Sequence, residues 1–382
     1  MLNDSRSAAL HAPALAQLTA AFNAWIDAGR IAGAVVMIER NGTVGLFEAL
    51  GQQDPARGVA MRKDSIFRIY SMTKPIVSVA LMQLAEQGKL LLRDPVAKYL
   101  PEFADAKVGV DGAPPKRPMT VHDLLRHTAG LTYEFHEPSP VRQLYVEAKL
   151  YSRGRTNAAQ TKALAALPLA HEPGAVWDYS RATDVLGRLV EVLAGATLGD
   201  HLNATIFDPL GMVDTGFSVA PDQHHRLAEP LAAPPEGVPL VPVFDPRVAV
   251  PAQNGGGGLM STAADYTRFV RMLARGGHLD GVRLLGRKTV EWMTADHLGP
   301  IPRANGLLPP GYGFGLGFAV KTALGEHTEP GSVGSYGWSG AAGTAFFVDP
   351  AEQMFAIILT QAPGLLDDVR ELFRQSVYAA IE

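Results

Sequence analysis

Apolar positions Leu15, Leu18, Phe22 and Trp25/Ile26 recur at helical spacing before Gly29, which predicts an amphipathic helix near the start of the chain. Two β-prone runs follow, Ala34-Val35-Val36-Met37-Ile38 and residues 44–50, separated by Asn41-Gly42, a strong short-range hairpin signal. The far end mirrors this order. Residues 312–320, 345–348 and 354–360 are β-rich runs between Gly, Pro and Asp turns, and a helical pattern over 365–381 closes the chain, with Leu366, Val369, Leu372/Phe373 and Val377 on one face. Helix and strands first, strands and helix last, predict one layered sheet unit built from both termini.

The middle reads as an insertion into that unit. Helical patterns cover 75–87, 121–126, 142–151, 158–167, 182–194 and 262–274, the last opened by a Thr262/Asp265 capping pair. Residues 220–258 form a long irregular stretch with repeated prolines and the run Gly255-Gly256-Gly257-Gly258, expected to be a substrate-facing wall. The expected fold class is therefore α+β, an antiparallel sheet flanked by N- and C-terminal helices with a mostly helical inserted domain. The division is residues 1–68 and 295–382 for the sheet unit and 69–294 for the helical one, with the active site at their interface.

Composition narrows the chemistry. The 382 residues are 47% hydrophobic and 19% charged, with a formal net charge of −4, which argues against intrinsic disorder and against an electrostatic hold on nucleic acid. Zero cysteines exclude disulfides, thiolate metal sites and cysteine nucleophiles. The longest apolar runs, 33–38 and 354–359, fall short of the roughly 20 residues of a membrane span. The start Met1-Leu2-Asn3-Asp4 lacks the basic flank of a signal peptide. A cytoplasmic protein without a membrane partner is expected.

Ser71-Met72-Thr73-Lys74 follows the β-prone run 66–70 and opens an apolar helix, so Ser71 and Lys74 lie about one turn apart on one face. A hydroxyl needs a base to become a nucleophile, and a desolvated lysine supplies one. With 14 Ser and 10 Lys in the chain, chance gives about 0.4 Ser-x-x-Lys matches, so context must carry the motif. Asp178-Tyr179-Ser180-Arg181 precedes another apolar helix, and a phenol beside a lysine ammonium is expected to shift towards phenolate and relay the serine proton. In the β-rich C-terminal part, the small residues of Gly337-Trp338-Ser339-Gly340-Ala341-Ala342-Gly343 suit a strand that approaches a ligand closely.

In this order, Ser71/Lys74, Tyr179 and Trp338-Ser339-Gly340 resemble the serine β-lactamase and penicillin-binding superfamily, whose class C branch carries Ser-x-x-Lys, Tyr-x-Asn and Lys-Thr-Gly. Further similar segments are Leu92-Arg93-Asp94-Pro95-Val96, His122-Asp123-Leu124-Leu125-Arg126-His127-Thr128-Ala129-Gly130-Leu131 and Gly257-Gly258-Leu259-Met260-Ser261-Thr262-Ala263. Arg181 and Trp338 stand where a β-lactamase has its amide-holding Asn and carboxylate-binding Lys, and Trp338-Ser339-Gly340 is similar to the Trp-Gly-Gly variant of family VIII carboxylesterases. The resemblance implies an acyl-enzyme on Ser71, with Lys74 and Tyr179 sharing base and acid roles and the Ser71 and Ala341 N–H groups as oxyanion donors. It makes Trp338, Ser339, Gly340, Tyr133 and Arg181 the expected substrate contacts.

The expected activity is hydrolysis of short-chain carboxylic esters without cofactor or metal, the partner being a small-molecule ester. Within the superfamily the alternatives are a class C-like β-lactamase, an amide or oligomer hydrolase, a D-amino-acid peptidase and an acyltransferase; outside it, a catalytically silent scaffold. Oligomeric state is open. His136-Glu137 and His171-Glu172 each run into proline and lack a second histidine at zinc-helix spacing, so no metal is expected there. His127 is expected to be structural, because the chain has no Gly-x-Ser-x-Gly elbow.

Overall fold

The computed structural model describes residues 3–150, 152–239, 241 and 243–382. The expectations for the start of the chain, for the end of the helix over 142–151 and for the loop 220–258 touch Met1, Leu2, Tyr151, Leu240 and Pro242, which lie outside the described residues.

The chain enters through helix α1 (Ala12–Asp27) and the hairpin β1 (Gly33–Arg40) and β2 (Thr43–Asp54), with a short β3 (Val59–Ala60) beside β2. After the helical middle, β4 (Tyr312–Phe314), β5 (Ala319–Lys321), β6 (Tyr336–Gly340), β7 (Thr344–Asp349) and β8 (Met354–Thr360) complete one sheet in the order β3-β2-β1-β8-β7-β6-β5-β4. Every pairing is antiparallel. The three N-terminal and five C-terminal strands of the sheet join where β1 pairs with β8, Val36 opposite Ile358.

β1 is buried on both faces, and its alternation feeds two cores. Ala34, Val36 and Ile38 pack with α1 and the terminal helix, whereas Val35 and Met37 face the helical layer. The fold class is the α+β arrangement of an antiparallel sheet between terminal helices and a mostly helical body.

The run over 312–320 is two strands rather than one. Gly317 has φ +100°, and a Cβ there would meet Ser78 Oγ at 2.4 Å, so the chain turns at this contact and returns as β5. In the helical body, α2 (Thr73–Glu86) is buried from Thr73 through Leu84 and forms the axis of the layer. Helix α3 (Ala182–Ala194) packs on it, and α4 (Ala263–Ala274) lies against the sheet. The terminal helix α5 (Leu366–Tyr378) covers the opposite sheet face with Val369, Phe373 and Val377.

Candidate active site

Ser71 sits in a short 3-10 turn, Tyr70–Met72, that runs directly into α2. Phe67–Arg68 pairs with Met260–Ser261, Ile69 N–H donates to Leu259 O at 3.1 Å and Leu259 N–H to Thr73 Oγ1 at 3.1 Å, so the turn is fixed on both sides. Tyr70 takes φ +44°, a left-handed conformation costly for a bulky residue, and the clamped neighbours hold it there. The strand β6 closes on this turn: a Cβ on Gly340 would lie 2.3 Å from Ile69 O, so only glycine permits the approach.

The structure brings two side chains, Lys74 and Tyr179, onto the Ser71 hydroxyl and ties two more, Tyr133 and Trp338, behind them. Lys74 Nζ stands 3.2 Å from Ser71 Oγ, and Tyr179 OH donates to the same oxygen at 2.7 Å. Trp338 Nε1–H donates to Tyr179 OH at 3.2 Å. Lys74 Nζ also donates to Gly256 O at 2.6 Å and to Tyr133 OH at 3.1 Å. Tyr133 was expected to face substrate; its hydroxyl instead touches the lysine, and Phe135, 64% exposed, stacks on its ring at the rim.

Burial sets the charge states. It pulls Lys74 down to about 7, with Asp184 opposing the fall and Arg181 adding to it. Burial pushes the Tyr179 and Tyr133 phenols above their ordinary value. The shift expected for Tyr179, towards phenolate, therefore runs the other way: the low-dielectric surroundings disfavour an anion more than its neighbours favour one.

Tyr179 is held by a network that no local pattern announces. Ser180 N–H donates to His127 Nδ1 at 3.2 Å, and His136 Nε2–H donates to the Tyr179 carbonyl at 2.6 Å. The buried Asp178 carboxylate accepts from Arg142 at 3.1 Å, His171 at 3.1 Å and Asn305 at 2.9 Å. Burial alone would raise Asp178, but its bonds to His171 and Thr132 and the nearby His136 and Arg142 keep it below the usual carboxylate range. His127, pressed against the Tyr179 ring, is driven well below its ordinary pKa by burial and is neutral. Thus His136 and His171, set aside as metal ligands, orient the segment carrying the phenol.

Two expected contacts face elsewhere. Arg181 is 5% exposed and paired with Glu134 and with Asp184 at 3.2 Å, so its guanidinium is spent inside the protein. Ser339 follows Trp338 on β6 and turns its side chain to the other face, where Phe373 and Arg374 border a cavity of about 50 Å³. Ala341 opens the turn after β6, one residue beyond the close approach of Gly340 to Ile69.

The loop 220–258 reaches the site directly at Gly256 O and is anchored beside it by Arg68, which donates to Phe244 O at 2.5 Å, Ala228 O at 2.9 Å and Glu229 at 2.9 Å. Phe244 then packs edge-on against Tyr70 at 5.3 Å. Among the described residues no group of three or more His, Asp and Glu side chains could hold a metal ion, and no helix is long and apolar enough to cross a membrane.

Comparison with known proteins matches the sequence and the fold to a family. The family model for Beta-lactamase matches residues 15–380. Protein Rv1367c of Mycobacterium tuberculosis is 37% identical over 351 residues, covering 88% of this chain and 87% of that one. Esterase EstB of Burkholderia gladioli is 33% identical over 385 residues, covering 95% of each. Among solved structures, EstCE1, described as a hydrolase with promiscuous acyltransferase activity, superposes with a TM-score of 0.80 at 30% identity, covering 96% of this chain and 99% of that one.

Proposed function

From the premise that this chain belongs to the beta-lactamase family, we propose that it is a carboxylesterase that cleaves short-chain esters through an acyl-enzyme on Ser71. The observation that carries the reading is that Lys74 and Tyr179 both contact Ser71 Oγ while Trp338 bonds the phenol. The likeness to Esterase EstB supports ester over lactam, as does an indole where β-lactamases hold the lysine that binds a carboxylate. The site lies between the sheet unit, residues 1–68 and 295–382, and the helical unit, residues 69–294.

The proton inventory assigns the steps. A neutral Lys74 amine has two N–H donors and one lone pair; Gly256 O and Tyr133 OH take the donors, and the lone pair faces Ser71. Lys74 removes the hydroxyl proton as Oγ bonds the ester carbon, and the tetrahedral oxyanion is held by the Ser71 and Ala341 N–H groups. Collapse breaks the bond to the alkoxide, which takes its proton from Tyr179, itself recharged from the Lys74 ammonium. Water, deprotonated by the same pair, then attacks the acyl carbon and releases the acid and Ser71. Trp338 fixes the phenol and presents an apolar wall to an uncharged substrate. Tyr133 orients Lys74, and Arg181 holds Asp184.

Purified Ser71→Ala is expected to lose p-nitrophenyl butyrate hydrolysis by several powers of ten, with an unchanged melting temperature. Turnover retained in that variant would end the assignment. A second reading, transfer of the acyl group to an alcohol, is favoured by the likeness to EstCE1. Added alcohol that diverts acyl groups into a new ester faster than water releases them would select it.

A further inference from the structure

The buried carboxylate of Asp184 takes no proton in the chemistry above, yet it meets the lysine through the glycine run Gly255–Gly258, whose Gly256 carbonyl accepts from Lys74. Gly256 N–H donates to Asp184 Oδ1 at 2.8 Å and to Asn254 Oδ1 at 2.9 Å, while Gly256 O, on the other side of the same residue, accepts from Lys74 at 2.6 Å. The run is pressed onto the start of α3. A Cβ at Gly255 would lie 2.6 Å from Thr183 O, and one at Gly256 would lie 2.7 Å from Asp184 Oδ1 and 3.0 Å from Tyr133 OH. Glycine is needed there so that this backbone can fit between helix and lysine.

The geometry points to Asp184 as a positioning residue for the reaction, acting on Lys74 through Gly256. This rests on the acyl-enzyme reading. A carbonyl accepts only, so Gly256 O fixes one N–H of the Lys74 amine, and with Tyr133 taking the other, the lone pair is left aimed at Ser71. Asp184 has two separable effects. It holds Gly256 in place, and its negative charge favours the ammonium form of Lys74 against burial, which pulls the other way. The other groups facing the pair are Arg181 with its second partner Glu134, the neutral His127, and the phenols of Tyr133 and Tyr179.

Two substitutions separate place from charge. In Asp184→Asn the side-chain oxygen still accepts from Gly256 N–H but the charge is gone. In Asp184→Glu the charge stays but the extra methylene displaces the bond. The readout is the rate at which a fluorophosphonate probe labels Ser71, followed against pH, with the adduct located by mass. For Asp184→Asn the acid limb should move down by about one pH unit with little loss at the plateau. For Asp184→Glu the plateau should fall about tenfold or more with the limb unmoved.

A limb that stays put in Asp184→Asn, together with an undiminished plateau in Asp184→Glu, overturns the inference while leaving the acyl-enzyme intact. Wild-type protein that takes no label at Ser71 overturns the acyl-enzyme reading itself, and the inference with it. Melting curves identify a variant that fails to fold. If Asp184→Asn does so, the Asp184→Glu plateau decides alone.

Discussion

Lys74 shows how one buried residue sets the working pH of the proposed reaction. Its ammonium is desolvated by α2 and the layers on either side, so its proton is released near pH 7 rather than above 10. The base is the neutral amine, and protonation below that point removes it. The expected outcome is a kcat/KM for p-nitrophenyl butyrate that falls as pH drops through about 7 and levels off above it, measured at constant ionic strength. A profile flat from pH 5 to 9 would show that no group of this kind limits acylation. Ser71 and Lys74 were legible as a pair, because three residues along a helix start is a local distance. Tyr133 and Arg181 were legible only as positions beside motifs; the direction of their side chains depends on partners such as Glu134, which local spacing does not align.

Among elements, the short extended segment Trp177–Ser180 depends most on distant partners. It has no ladder of its own. Trp177 N–H donates to Pro302 O and Asp178 N–H to His127 O, and the Asp178 side chain gathers Arg142, His171 and Asn305. Replacing that carboxylate would orphan several buried donors at once. Asp178→Ala is expected to cost about 3–5 kcal/mol in urea unfolding and to lower ester turnover by letting Tyr179 drift from Ser71. Stability and turnover both at wild-type values would refute this role. The sequence offered no sign of the hub, since His136, Arg142 and His171 come from three separate stretches and each reads as an ordinary polar residue.

For the molecule as a whole, the two termini finish a single sheet and then cover it. His11 N–H donates to Ala380 O, Leu10 bridges Ile381, and α5 seals Phe347, Ala356 and Ile358 from water. Deleting residues 366–382 is expected to expose that apolar face and give a protein that binds 1-anilinonaphthalene-8-sulfonate or aggregates. A soluble, dye-negative, active truncation would contradict the layered account.

Apolar spacing and turn residues together determined the terminal helices, the β1–β2 hairpin, the β-rich C-terminal part and the longer helices of the middle, because each records which face an element buries and where it stops, whereas the helices Leu198–Leu202 and Arg287–Met293 went unread. Apolar spacing did not register the turn at Gly317 that splits 312–320 into two strands, since that turn is set against Ser78 on α2. The same limit applies at the proposed reaction centre. Ser-x-x-Lys is written within one helical turn, whereas the phenol comes from 108 residues away and the lysine's carbonyl partner from 182. Only the packed layers decide those distances, the neutrality of the phenol and the second bond that aims the amine, because each follows from burial between elements remote in the chain.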